Sequence, residues 1–138
     1  MNREFLEQLS KLGGEGELPL THTESNNPFV LKIIFRDDLE LSPGKMVAQG
    51  GHAITGCLYN AYSPDETSWV KDGMRKITLK ASYKELIECY YQSFASDLNV
   101  FLVLDLGYTE LETPDVTCLG IFGRKEEVDK YTDKMELY

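Results

Sequence analysis

The chain opens with Phe5, Leu6, Leu9 and Leu12 at helical spacing, which predicts a short amphipathic helix over 3–12. The stretch that follows, GGEGELPLTHTESNN, mixes Gly, Pro, Ser, Thr and Asn with acids and reads as a linker. Residues 1–27 are therefore expected to form an extension, flexible rather than docked by that one apolar stripe. From residue 28 the pattern changes. Phe29–Phe35 (FVLKIIF) is a β-branched and aromatic run interrupted only by Lys32, as in a largely buried strand. Ser42 stands where it can cap a helix with Pro43 in first position, running to about Tyr62. Arg75–Ala81 (RKITLKA) alternates polar and apolar residues like a strand. Ser82 can cap the next helix, whose stripe is Leu86, Ile87, Tyr90, Tyr91 and Phe94. Asn99–Leu104 (NVFLVL) and Val116–Phe122 (VTCLGIF) supply two more strands, and Lys125–Met135 a closing helix with Val128 and Tyr131 facing inward. The order β-α-β-α-β-β-α predicts one compact α/β domain over 28–138, with a four-stranded mixed β-sheet sandwiched by helices. Its long crossovers suit parallel pairing, and the short link between the last two strands suits an antiparallel pair.

Composition narrows the class. At 138 residues, 42% hydrophobic and 27% charged, the chain reads as an ordinary globular protein with one core. No apolar run approaches the roughly 20 residues of a membrane span, and Glu4 and Glu7 interrupt any leader-like segment. The expectation is a cytoplasmic protein with no membrane partner. Net charge is −9, carried by the ends: residues 1–27 sum to −3, 28–104 to −1 and 105–138 to −5. A broad phosphate-binding surface is not expected, and no DNA partner is indicated. Cys57, Cys89 and Cys118 are odd in number and widely spaced, so they suggest neither a disulfide framework nor a zinc site.

Chemistry concentrates in Gly44–Ala53 (GKMVAQGGHA). On a helix Lys45, Gln49 and His52 fall at i, i+4 and i+7 and share one face, or they form a merely solvated edge. Gly50 and Gly51 each cost about 1 kcal/mol relative to Ala inside a helix, and close approach of a backbone or ligand is the usual compensation. Asp105 closes a buried strand, where carboxylates often face a ligand crevice, although a turn aspartate bonding its own backbone is as common. Thr117 could look into the same crevice or simply pack.

Taken together, GKMVAQGGHA after the first strand, WVKDG leading into RKITLKA, and Asp105-x-Gly-x-Thr109 with Thr117 eight residues on resemble type II peptidyl-tRNA hydrolases, the enzymes of archaea and eukaryotes. The resemblance runs from about residue 29 to the C-terminus. It implies a four-stranded mixed sheet between helices, a homodimer, and hydrolysis of the ester joining peptide to tRNA, with tRNA recycled for translation. It places the family's functional positions on Lys45, Gln49, Asp105, Thr109 and Thr117 as catalytic residues, without metal or cofactor. Lys45 and Gln49 would stabilise the oxyanion or orient water, Asp105 would pair with Lys45 and polarise the water, and the two threonines would bond substrate or water. No serine or cysteine nucleophile beside a histidine is evident, which favours direct attack by water.

His52, Tyr108 and Lys76 are expected to bind substrate; His52 also fits a hydrogen-bonded packing role. Lys71, Arg75, Lys76, Lys80 and Lys84 form either a basic groove around Lys45 or a solvated strand-and-helix edge. The chain departs from the family pattern at Leu106 and Tyr108, at Thr113-Pro114-Asp115 and at Gly50-Gly51. Tyr108 stands where an arginine would contact phosphate and could stack on a base instead, while Asp115 brings a negative charge toward the tRNA path. The LETPDVTC stretch also resembles divergent peptidyl-tRNA hydrolase domain-containing proteins, in which the motif lysine tends to be lost; here Lys45 is present. Two further readings stay open: a non-catalytic module binding RNA or protein, and a hydrolase of another ester.

Overall fold

The computed structural model describes residues 3–4, 27–59, 64–106 and 115–138. Its elements in chain order are β1 (Phe29–Arg36), α1 (Pro43–Tyr59), α2 (Pro64–Lys71), β2 (Lys76–Ala81), α3 (Tyr83–Phe94), β3 (Asn99–Asp105), β4 (Asp115–Arg124), α4 (Lys125–Thr132) and β5 (Glu136–Leu137). The strands form one mixed sheet in the order β3-β4-β1-β2-β5. β1 pairs in parallel with β2, in the register Leu31↔Lys76 to Arg36↔Ala81, and antiparallel with β4. β3 pairs antiparallel with β4 at the outer edge. It therefore points the same way as β1 and β2, and the C-terminal ends of these three strands lie along one margin of the sheet.

Period-two alternation in β1 divides the core between the two faces of the sheet. Phe29, Leu31, Ile33 and Phe35 pack with Ala53 and Cys57 of α1 and Trp69 of α2. Val30 and Ile34 pack with Leu86 and Cys89 of α3 and Val128 of α4. Lys32 belongs to this second face and is buried there, where its Nζ donates to Asp129 Oδ1 at 2.8 Å and to Thr132 Oγ1 at 2.9 Å. All three cysteines are buried and free, and burial pushes the thiols of Cys57 and Cys118 up to about 12.

Both expected helix caps form. The Ser42 hydroxyl accepts from Lys45 N at 3.2 Å. Ser82 and Glu85 make a reciprocal capping box that starts α3. Three expectations need correction. The sheet has five strands rather than four, because Glu136 and Leu137 pair with Lys80 and Leu79. The closing helix stops at Thr132 rather than Met135, and its last residues turn back to that strand. An eight-residue helix, α2, occupies Pro64–Lys71, where no element was predicted. Of the helix expected over 3–12, only residues 3 and 4 are described, and α1 ends at Tyr59, beyond which 60–63 lie outside the described residues.

The helical glycines also differ from expectation. A Cβ at Gly51 would meet nothing within 4 Å, and one at Gly50 would make only ordinary contact with Phe35 and Ile33. The close approach occurs elsewhere. A Cβ at Gly56 would stand 2.1 Å from the Phe101 ring, and one at Gly120 would stand 2.8 Å from Ala53 O. Gly56 and Gly120 let α1 lie directly on β3 and β4, and this contact sets where Lys45 and Gln49 project.

Candidate active site

The site lies at the sheet margin formed by the C-terminal ends of β1, β2 and β3. Lys45 occupies the first turn of α1, at the positive end of the helix dipole, where a cation is disfavoured by roughly 0.3–1 kcal/mol. Its offset is Asp105 at the end of β3. Lys45 Nζ stands 2.5 Å from Asp105 Oδ2, with side chains 12% and 5% exposed. One turn along α1, buried Gln49 donates from Nε2 to the same Asp105 Oδ2 at 3.4 Å. Its Oε1 accepts from the fully buried Thr117 hydroxyl at 2.5 Å. A carboxylate at one end and a hydroxyl at the other thus fix both polar atoms of the amide.

Thr117 reaches this chain through an irregularity. In the β3–β4 ladder Val103 faces Cys118 while Leu104 faces Val116, so Thr117 is the extra residue of a β-bulge. Regular alternation would turn Thr117 to the α3–α4 face. With the bulge, Thr117 and Cys118 both address α1: the first bonds the Gln49 side chain and the second lies 3.5 Å from Gln49 O. Arg36, at the end of β1, completes the bulge by donating to Val116 O at 3.1 Å and to Asp115 Oδ1 at 2.7 Å. It also grips Asp38 and lies 4.5 Å over the Tyr83 ring. The hydrogen bond to Asp38, ahead of the Coulombic contribution of Asp115, raises the guanidinium pKa and holds the Asp38 carboxyl below its usual range. The departure at Asp115 therefore places a carboxylate that Arg36 already compensates, and Leu106 projects as an exposed apolar side chain just past Asp105.

The remaining expected residues fall in three groups. His52 lies on the same helix but is exposed, lining a groove with Thr55, Tyr59 and β3 rather than joining the Lys45–Asp105 pair. Lys76 is not brought to the site. It stands at the N-terminal end of β2, about 16 Å along the strand from the end that reaches the margin. There it donates to Met74 O at 2.9 Å and covers the Trp69 ring, and burial lowers its pKa. The five basic residues expected around Lys45 are not all brought to one place: Arg75 and Lys76 share that far end, while Lys80, one residue from the margin end of β2, pairs with Glu136 on β5 at 3.8 Å. Tyr108 and Thr109 lie outside the described residues, as do Thr113 and Pro114. Sequence reasoning missed Arg36, whose only signal was a charge directly after an apolar strand. Among the described residues, no helix is long and apolar enough to cross a membrane, and no cluster of three His, Cys, Asp or Glu could hold a metal ion.

An ammonium and a carboxylate locked together beside a fixed amide, at a helix N-terminus, can hold a water and receive developing negative charge. Comparison with known proteins finds relatives over most of the chain. The family described as "Peptidyl-tRNA hydrolase PTH2" matches residues 29–138. A protein of Methanopyrus kandleri named peptidyl-tRNA hydrolase is 43% identical over 110 residues, covering 76% of this chain and 94% of that relative. A protein of the same name from Methanocaldococcus jannaschii is 36% identical, covering 76% and 96%. A solved structure of a protein of unknown function from Agrobacterium shares the fold at a TM-score of 0.57 and 14% identity, over 80% of this chain and 98% of that one.

Proposed function

The chain belongs to the peptidyl-tRNA hydrolase PTH2 family, and we propose that it hydrolyses the ester between peptide and tRNA through Lys45, Asp105, Gln49 and Thr117. The observation that carries the reading is the buried Lys45–Asp105 pair with Gln49 bridging it to Thr117. Water attacks the ester carbonyl carbon while Asp105 polarises it. The carbonyl oxygen takes up negative charge beside the Lys45 ammonium and the N-terminus of α1. Collapse breaks the bond to the ribose oxygen, which takes the proton derived from the water and leaves as the free tRNA hydroxyl. The peptide departs as a carboxylic acid, which gives up the second water-derived proton to solvent to become the carboxylate. Thr117 acts through Gln49 by holding the amide so that Nε2 faces Asp105, and Thr109 bonds substrate. Cys118 stays a protonated thiol at neutral pH because burial pushes it up to about 12, in keeping with attack by water rather than a thioester route.

Residues 28–138 carry the activity, and removal of 1–27 is expected to leave turnover intact. The enzyme works in the cytoplasm as a homodimer. Tyr91 and Phe94, exposed near one another on α3, offer apolar surface for a second copy, so Phe94→Glu should shift a dimer to monomer in sedimentation. Release of free tRNA from N-blocked aminoacyl-tRNA by wild type, Lys45→Ala and Asp105→Ala tests the central reading. Turnover that both substitutions abolish supports it. A folded wild type without turnover would move the protein to a binding module.

A further inference from the structure

The groove beside the site is a second feature with the dimensions of a ligand. It has a volume of ≈ 570 Å³ and lies between the C-terminal half of α1 and the edge strand β3. His52, Thr55 and Tyr59 line one wall, and Phe101 to Leu104 line the other. From His52 to Tyr59 the helix rises about 10 Å, and from Phe101 to Leu104 the strand advances about 10 Å. The two walls are therefore matched in length, to roughly three residues of an extended chain. One end of the groove adjoins Asp105, the next residue of β3 after Leu104. Toward the other end, Asn99 bonds Glu66 of α2 and lies against the Cys57 thiol.

Two properties of this groove select its occupant. Among the described residues β3 pairs only with β4, so alternate N–H and C=O groups of its backbone turn away from the sheet, as in strands that accept an added strand. Among the described residues, the lining holds no lysine or arginine, which an RNA backbone would require. A largely apolar groove beside an open strand edge suits a peptide read through its main chain, whatever its side chains.

We propose that this groove receives the last residues of the peptidyl moiety, added as a strand parallel to β3 with its ester carbonyl delivered to Lys45 and Asp105. The direction follows from the chemistry: the esterified C-terminus must lie at the Asp105 end and the peptide's N-terminus toward Asn99. The inference rests on the hydrolase reading and adds to it a binding site for the peptide. Main-chain recognition fits a substrate whose peptide can have any sequence.

The test is kcat/KM of the full chain on N-acetyl-alanyl-tRNA carrying one, two, three or five alanines. The expected result is a rise of about tenfold between one and three residues, the worth of one or two net hydrogen bonds, and no further gain at five. Thr55→Trp, which fills the groove, should bring the three-to-one ratio to about one. With wild-type enzyme, replacing a peptide N–H of the three-residue substrate by an ester oxygen should remove most of the gain, a result independent of how any variant folds. Equal kcat/KM at every length, with turnover intact, overturns the groove assignment and leaves the hydrolase reading standing. A length-independent wild type whose dimer is broken by Thr55→Trp in sedimentation assigns the groove to a second copy and overturns the proposal. No turnover on any substrate overturns the hydrolase reading and the groove assignment with it.

Discussion

The lysine–aspartate pairs Lys32–Asp129 and Lys45–Asp105 share their chemistry and differ in their surroundings. Lys32 and Asp129 meet at 2.8 Å on the α3–α4 face, with side chains 8% and 20% exposed. Lys45 and Asp105 meet at 2.5 Å at the sheet margin, and burial does not separate the two pairs. Their surroundings do. Lys32 rises from the middle of β1 under α4, where Thr132 shares its ammonium and Lys125 shares Asp129. The pair neutralises a charge that would otherwise sit in the core. Lys45 sits where three strands end and a helix begins, next to a fixed amide and the mouth of a groove. A buried ion pair is by itself weak evidence for function, because each charge must be compensated wherever it lies. What marks the second pair is its place at the strand ends and its link to Gln49 and Thr117.

Four substitutions and one pH series sharpen this contrast. The largest effect falls on chemistry: Lys45→Ala should lower kcat by ~10²–10³, as for loss of an oxyanion donor, with thermal unfolding changed far less. Lys32→Met should do the reverse. It leaves turnover intact and destabilises the fold by about 2 kcal/mol, less than a fully buried broken pair because Lys125 still holds Asp129. Denaturant titration beside a turnover assay reads both, and an inactive but stable Lys32→Met would dissolve the distinction between the pairs. Next in size is Arg36→Ala, which strips Val116 O of its donor at the bulge and should cost roughly 1–2 kcal/mol in the same titration. Its effect on kcat should exceed that on KM, because Thr117 shifts without leaving the site.

The pH series addresses the structural pair. Burial alone would raise the Asp129 carboxyl, but hydrogen bonds from Lys125 and Lys32 outweigh it and hold the group below its usual 3.8. A depressed folded value means its stabilisation is complete above the unfolded value and is lost as pH falls through the folded one. Melting temperature measured below pH 4 should therefore fall less steeply in Lys32→Met than in wild type. Smallest is Gly51→Ala, which meets open space and should stabilise α1 by up to about 1 kcal/mol. Turnover should be unchanged, showing that stiffening the helix under Lys45 is separate from what Lys45 does.

The sequence by itself determined the parts that depend on neighbours in the chain. Ser42 and Ser82 announce their helices because a cap needs only residues within one turn. The apolar runs of β1, β3 and β4 announce strands because burial repeats with the backbone period. The motif order around Lys45, Gln49 and Asp105 pointed to the family for the same reason: each motif is local.

Tertiary structure decided what depends on which distant segments meet. β5 has only two residues, too short for any period, and exists because β2 offers an edge. Lys76 shares its strand with residues near the site, yet the parallel register sends it to the opposite end. Gly56 and Gly120 matter through a contact between α1 and the sheet, while Gly50 and Gly51, more conspicuous in the sequence, would meet only ordinary contact and open space. Thr117 faces Gln49 only because of one extra residue in β4, where the neighbouring Val116 carbonyl is met by Arg36 from 80 positions earlier. A chain can specify locally which side of a strand is apolar. Which charge meets which, and which face a bulge redirects, is fixed only when strands far apart in sequence settle into register.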